Sequence, residues 1–92
     1  MSIDQSQLDR CVALAREFGV RKLILFGSAA ENPAAARDLD VASEGIEGWD
    51  IFRFGARLEE ELGIQVDLVA LSPGDRFSRY IAARGRVLYE RK

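Results

Sequence analysis

Asp38-Leu39-Asp40 sets two carboxylates two residues apart in an acid–apolar alternation, the spacing that aims both from the same face of a β-strand. Ahead of it, the apolar run Leu23-Ile24-Leu25-Phe26 ends in Gly27-Ser28, a turn whose backbone N–H groups and hydroxyl suit a phosphate. A third acid, Asp67, lies inside Ile64-Gln65-Val66-Asp67-Leu68-Val69-Ala70-Leu71, where a lone charge is costly unless something binds it. If the two strands are neighbours, three carboxylates converge and repel, and a hard cation such as Mg²⁺ relieves the repulsion. Two such cations can bridge a triphosphate. Each part also has a plainer reading. Alternating Asp and Leu is what a half-exposed strand looks like, and Gly-Ser without the Gly-Lys-Ser/Thr of a P-loop is a common turn and helix cap. Asp67 favours the chemical reading, because its strand reads apolar on both faces, the pattern of a central strand.

What is missing narrows the chemistry further. There is no histidine, so Ser-His-Asp and Cys-His catalysis, imidazole zinc sites and histidine pH switching all fall away. The one cysteine, Cys11, has no partner for a disulfide or metal knuckle; it reads as a small core residue in a reducing cytoplasm. A net charge of −2 gives no bulk attraction to nucleic acid or anionic membrane, and no direct nucleic-acid binding is expected. The first residues lack the basic and apolar regions of a signal peptide, and no apolar run approaches a membrane span. Ninety-two residues, 48% hydrophobic and 30% charged, predict one soluble domain over 1–92 with no second, substrate-holding domain.

The elements that must position the acids follow from periodicity. Leu8, Cys11, Val12, Ala15 and Phe18 make one apolar stripe on a helix over 6–18, capped by Ser2 or Asp4 and stopped by Gly19. Residues 20–26 are short, aliphatic and glycine-bounded, hence a buried strand; Gly27-Ser28 then opens a short helix with Ser28 as its cap. Asn32-Pro33 breaks that helix. Leu39 and Val41 face one side of the next strand while Asp38, Asp40 and Ala42 face the other. Ile51, Phe52, Phe54, Gly55, Leu58 and Leu62 predict a helix over 49–62 stopped by Gly63, with Trp49 packing at its start. A strand over 64–71, a turn at Ser72-Pro73-Gly74-Asp75, a helical piece with Phe77, Tyr80 and Ile81, and an extended run over 86–90 complete the chain. This order predicts an α/β (α+β) fold, a small mixed sheet flanked by helices.

At these residues the sequence resembles the polymerase-beta-like nucleotidyltransferases, specifically the stand-alone minimal nucleotidyltransferases. That signature is Gly-Ser, a loop, Asp-x-Asp on a strand and a third acid on a later strand, here Gly27-Ser28, Asp38-Leu39-Asp40 and Asp67. The resemblance covers nearly the whole chain. It implies that Asp38, Asp40 and Asp67 hold two Mg²⁺ ions, that Asp67 helps orient or deprotonate the attacking hydroxyl, and that Gly27 and Ser28 cradle the outer phosphates. The implied reaction is in-line attack on the α-phosphorus of ATP or another nucleoside triphosphate, releasing pyrophosphate. Many minimal members are antitoxins of HEPN ribonuclease toxins, some placing AMP on a toxin tyrosine, so a HEPN-type toxin is the implied partner. A homo-oligomer is compatible with the size.

Two departures stand out. Where the family commonly has Ala-Arg-Gly, Ala29-Ala30-Glu31 offers no arginine. Arg37 stands where serine usually precedes the first acid, and either reaches a phosphate or pairs with Asp38 or Glu31. Arg76, Arg79, Arg84, Arg86, Arg91 and Lys92 make the last stretch locally basic, which serves nucleotide phosphates, an acidic partner face, or simply solvation. Tyr80 and Tyr89 read as core or rim residues. Two alternatives stay open: a non-catalytic antitoxin that occludes its partner, and a subunit transferring nucleotides to a small molecule such as an antibiotic.

Overall fold

Asp4 starts the first helix: its carboxylate accepts the Gln7 N–H at 2.9 Å, and the Gln7 side-chain oxygen accepts the Asp4 N–H at 2.9 Å. This reciprocal capping box satisfies two otherwise orphaned donors. From there the chain runs α1 (Gln5–Glu17), β1 (Lys22–Phe26), α2 (Ser28–Glu31), β2 (Leu39–Glu44), α3 (Trp49–Leu62), β3 (Val66–Ala70), α4 (Arg76–Arg84) and β4 (Arg86–Glu90). The computed structural model describes residues 3–32, 38–72 and 74–91, without the side chains of residues 28 and 29. Ser2, Pro33 and Arg37 therefore lie outside the described residues, as does the expected capping role of the Ser28 hydroxyl. The four strands form one mixed sheet in the order β3-β2-β1-β4, with β1 antiparallel to both β2 and β4, and β2 parallel to β3.

Strand alternation divides that sheet into two faces. Leu23 and Leu25 of β1, Leu39 and Val41 of β2, and Val66 and Leu68 of β3 point toward α1 and α3, where they meet Leu8, Cys11, Leu14, Phe54 and Leu58. The rings of Phe18 and Phe54 pack 5.4 Å apart between the two helices. Cys11 is fully buried there, and burial pushes its thiol up to about 12, consistent with a packing role. On the opposite face, Ile24, Ala42, Leu71 and Ile81 make a smaller cluster under α4, joined by Phe26 and Val69. Gly85 lets α4 approach β1: a Cβ there would stand 2.5 Å from Ile24 Cγ2 and 2.8 Å from the Leu25 carbonyl oxygen.

Two expectations are corrected. The strand carrying Asp67 is an edge strand, not a central one. It reads apolar on both faces because Val66 and Leu68 pack under α3 while Val69 packs toward α4, and Asp67 itself is exposed. Its charge is therefore solvated, and the premise that it must be expensive fails. Trp49 does not pack at its helix start: it is 81% exposed, its ring tilted against that of Phe52 at 5.8 Å, and Phe52 is itself 71% exposed. Phe52 sits about 200° around the helix from Phe54, so burying Phe54 turns Phe52 to solvent.

Candidate functional site

The residues that β2 and β3 turn away from the main core line up across the sheet. Asp40 is the register partner of Asp67 on one side and of Phe26 on the other, so the row Asp67, Asp40, Phe26 crosses three strands on the α4 face. This row lies where β1 ends and β2 and β3 begin. The start of β2 is tied to β3 by the Leu39 N–H donating to the Gln65 carbonyl at 3.0 Å. A Glu59 carboxylate oxygen from α3 accepts the Val66 N–H at 3.0 Å, fixing the residue before Asp67. The other end of the sheet is closed instead by the ion pairs Arg21–Glu44 at 2.6 Å and Lys22–Glu90 at 3.8 Å.

Gly27 follows Phe26 at φ +69°, and a Cβ on it would stand 2.5 Å from Asp40 Oδ2. Both facts demand glycine, because an L side chain is strained at that φ and would strike the carboxylate. Its carbonyl accepts the N–H groups of Ala30 at 3.1 Å and Glu31 at 3.3 Å, which winds the chain straight into α2. The glycine turn and the carboxylate are thus one packed unit.

Asp40 is partly buried, and its carboxyl is held above the ordinary carboxylate range. Burial is the largest cause, followed by the negative charge of Asp67, hydrogen bonding between the two carboxyls, and the charge of the exposed Asp38. The three predicted acids are therefore electrostatically joined, with Asp40 at the centre. Among the described residues, no group of three Asp, Glu, Cys or His side chains is gathered closely enough to hold a metal ion by itself. The side-by-side pair Asp40 and Asp67 nonetheless fits Mg²⁺. That ion takes oxygen ligands and is usually bound through one or two carboxylates, with waters and substrate phosphates completing its shell. A divalent cation would also relieve the repulsion that now favours the protonated form of Asp40.

Beside Gly27, a cleft of 460 Å³ opens between α2 and α4, lined by Phe26, Ala30, Glu31, Tyr80, Ile81 and Arg84. From sequence, Arg84 belongs to a basic stretch that serves nucleotide phosphates, an acidic partner face or solvation, and Tyr80 reads as a core or rim residue. No spacing links residue 84 to residue 27, because only the seating of α4 against β1 brings them to one cleft.

Residues 11–92 match the family described as Polymerase beta, Nucleotidyltransferase. Among solved structures, a candidate minimal nucleotidyltransferase is 27% identical with a TM-score of 0.71, covering 88% of this chain and 88% of that one. A complex of tri-AMPylated Shewanella oneidensis HEPN toxin with MNT antitoxin is similar at 20% identity and a TM-score of 0.72, covering 95% of this chain and 72% of that chain. A toxin–antitoxin structure with AMP-PNP gives 20% identity and a TM-score of 0.75, covering 92% of this chain and 74% of that chain. At identities of 20%, those last two likenesses concern the fold. No curated protein matches the chain. Since the family match runs from Cys11 to the last residue and the sheet carries the polymerase-beta-like arrangement of helices and strands, this chain belongs to the polymerase beta nucleotidyltransferase family.

Proposed function

We propose that the chain transfers a nucleoside monophosphate, AMP from ATP, to a hydroxyl of a partner protein, and that this partner is a HEPN-type toxin neutralised by the modification. The observation that carries the reading is the packed unit of Gly27 against Asp40, with Asp67 as the neighbouring carboxylate. A glycine turn packed against one carboxylate, with a second carboxylate beside it in the next strand, is an arrangement suited to phosphoryl chemistry. Family membership supports the reaction class, and the complexes of similar fold support the partner class.

In this reading Asp40 and Asp67, joined by Asp38, would hold Mg²⁺, and Gly27 with Ser28 would receive the outer phosphates. Mg²⁺, when bound, supplies charge neutralisation for the phosphates and for the oxygens exchanged at phosphorus. The protein's own work is placement. Asp67, exposed on the edge strand, faces the side from which an acceptor hydroxyl can arrive, and orients it or takes its proton. The hydroxyl oxygen bonds to the α-phosphorus as the α–β phosphoanhydride bond breaks, and pyrophosphate leaves on the opposite side.

The test is incubation of the protein with α-phosphate-labelled ATP, Mg²⁺ and an extract of its host, comparing wild type with Asp38→Asn/Asp40→Asn. Label on a protein partner that disappears in the variant is the expected result. Label on a small molecule instead would favour the antibiotic-type alternative. No label on any acceptor, with a partner still bound, would replace transfer by non-catalytic occlusion, a reading to which the exposed Trp49–Phe52 pair lends a contact surface.

A further inference from the structure

The geometry points to Arg84 as the cation that receives the departing pyrophosphate, with the cleft between α2 and α4 as its berth; this inference rests on the nucleotidyl-transfer reading above. In-line displacement places the attacking and leaving oxygens on opposite sides of the phosphorus. Across the sheet the order is Asp67 on the exposed edge, Asp40 in the middle, and Phe26 with Gly27 on the far side. An acceptor that enters over Asp67 therefore drives the leaving group over Gly27, and Gly27 and Phe26 themselves line the 460 Å³ cleft.

Arg84 is the cation lining that cleft among the described residues. Its guanidinium stacks over the Tyr80 ring at 4.8 Å, and among the described residues it makes no ion pair, so its charge is oriented yet uncommitted. The next residue, Gly85, fixes where that guanidinium is rooted. The close approach of its Cα to Ile24 and the Leu25 carbonyl seats the end of α4 against β1, while the 2.6 Å hydrogen bond from its N–H to the Ile81 carbonyl closes the last turn of α4 itself. A planar guanidinium held this way suits the bidentate recognition of phosphate oxygens. Glu31, on the facing wall, carries the opposite sign. It weakens retention of the same phosphates and so favours release of pyrophosphate once the bond is broken.

Two substitutions should thus act in opposite directions, and only on ligands that carry outer phosphates. Binding of Mg²⁺-ATP, inorganic tripolyphosphate and AMP is measured by calorimetry for wild type, Arg84→Ala, Arg84→Lys and Glu31→Gln. Arg84 and Glu31 are both exposed, so the fold should survive, and melting temperatures verify this. Arg84→Ala is expected to weaken ATP and tripolyphosphate about ten-fold while leaving AMP unchanged, the loss of one charge-assisted contact. Arg84→Lys should recover part of the loss, and Glu31→Gln should tighten both polyphosphates. Unchanged ATP binding in Arg84→Ala would overturn the assignment, and so would equal weakening of AMP and ATP, which would put Arg84 on the nucleoside or α-phosphate. Failure of wild type to bind ATP at all would overturn the transfer reading together with this one.

Discussion

The two faces of the sheet are built from alternate residues of the same strands, and they are committed to different tasks. Leu39 and Val41 look into the core that α1 and α3 close, whereas Asp40, between them, looks to the other side, toward Asp67 and Gly27. Among the described residues, the α4 face holds its helix with the smaller cluster of Ile24, Ala42, Leu71 and Ile81, and the cleft opens beside it between α2 and α4. Stability is therefore concentrated one residue away from the chemistry, and substitutions on the two faces should separate the two properties.

The largest effect belongs to the core face. Phe54→Ala removes a fully buried ring packed on Phe18 and should cost about 3–5 kcal/mol. That is much of the stability of a domain this size, so chemical denaturation should find the variant largely unfolded. A loss under about 1 kcal/mol would mean the α1–α3 face is not the main source of stability. Gly27→Ala should do less to the fold and more to the site. Strain at φ +69° costs on the order of 1–3 kcal/mol, and the added methyl displaces the Asp40 carboxylate, so nucleotide binding should fall more steeply than the melting temperature.

Asp40→Asn should reverse the usual sign of a mutation at a partly buried polar site. Because the folded state holds the Asp40 carboxyl above its unfolded value, native protein binds more protons than unfolded protein in the window just above the ordinary carboxylate range. Wild type therefore loses stability as pH rises through that window, and the ionised group continues to cost stability at neutral pH. Without divalent cation, Asp40→Asn should melt higher than wild type at neutral pH, with the gap closing on acidification. A lower melting temperature at all pH values would show that Asp40 is not strained by its neighbours. The smallest effect is expected at Ser43, whose fully buried hydroxyl faces the core without a hydrogen-bond partner among the described residues. Ser43→Ala should be neutral or stabilising by up to ~1 kcal/mol, with nucleotide binding untouched.

Much of this division was written in local patterns. The α3 stripe of Ile51, Phe52, Phe54, Gly55, Leu58 and Leu62 and the alternation Asp38-Leu39-Asp40-Val41 each follow from the period of one element: Phe54, Leu58 and Leu62 are buried and Leu39 and Val41 turn to the core as that period predicts, whereas Asp38 precedes β2 rather than lying on it. Asp67 shows the limit. Val66, Leu68 and Val69 make β3 look central, but a strand's place in a sheet is decided by pairing with distant segments, and partial cover on both faces leaves the same apolar pattern at an edge. Trp49 and Phe52 were misplaced because aromatic residues broaden an apolar stripe without showing which part of it is buried. Arg84 could not be tied to Gly27 at all, since their meeting depends on the close approach that Gly85 permits between α4 and β1.

The most direct test of the site is the melting temperature of wild type, Asp40→Asn and Asp67→Asn with and without Mg²⁺-ATP. Ligand that binds only the folded state stabilises it by about 2.7 kcal/mol at a hundred-fold excess over Kd. Wild type should show a clear upward shift that requires Mg²⁺, and both variants should lose most of it. A shift that survives in both variants, or no shift in wild type, would contradict the assignment of Asp40 and Asp67 to a metal–nucleotide site.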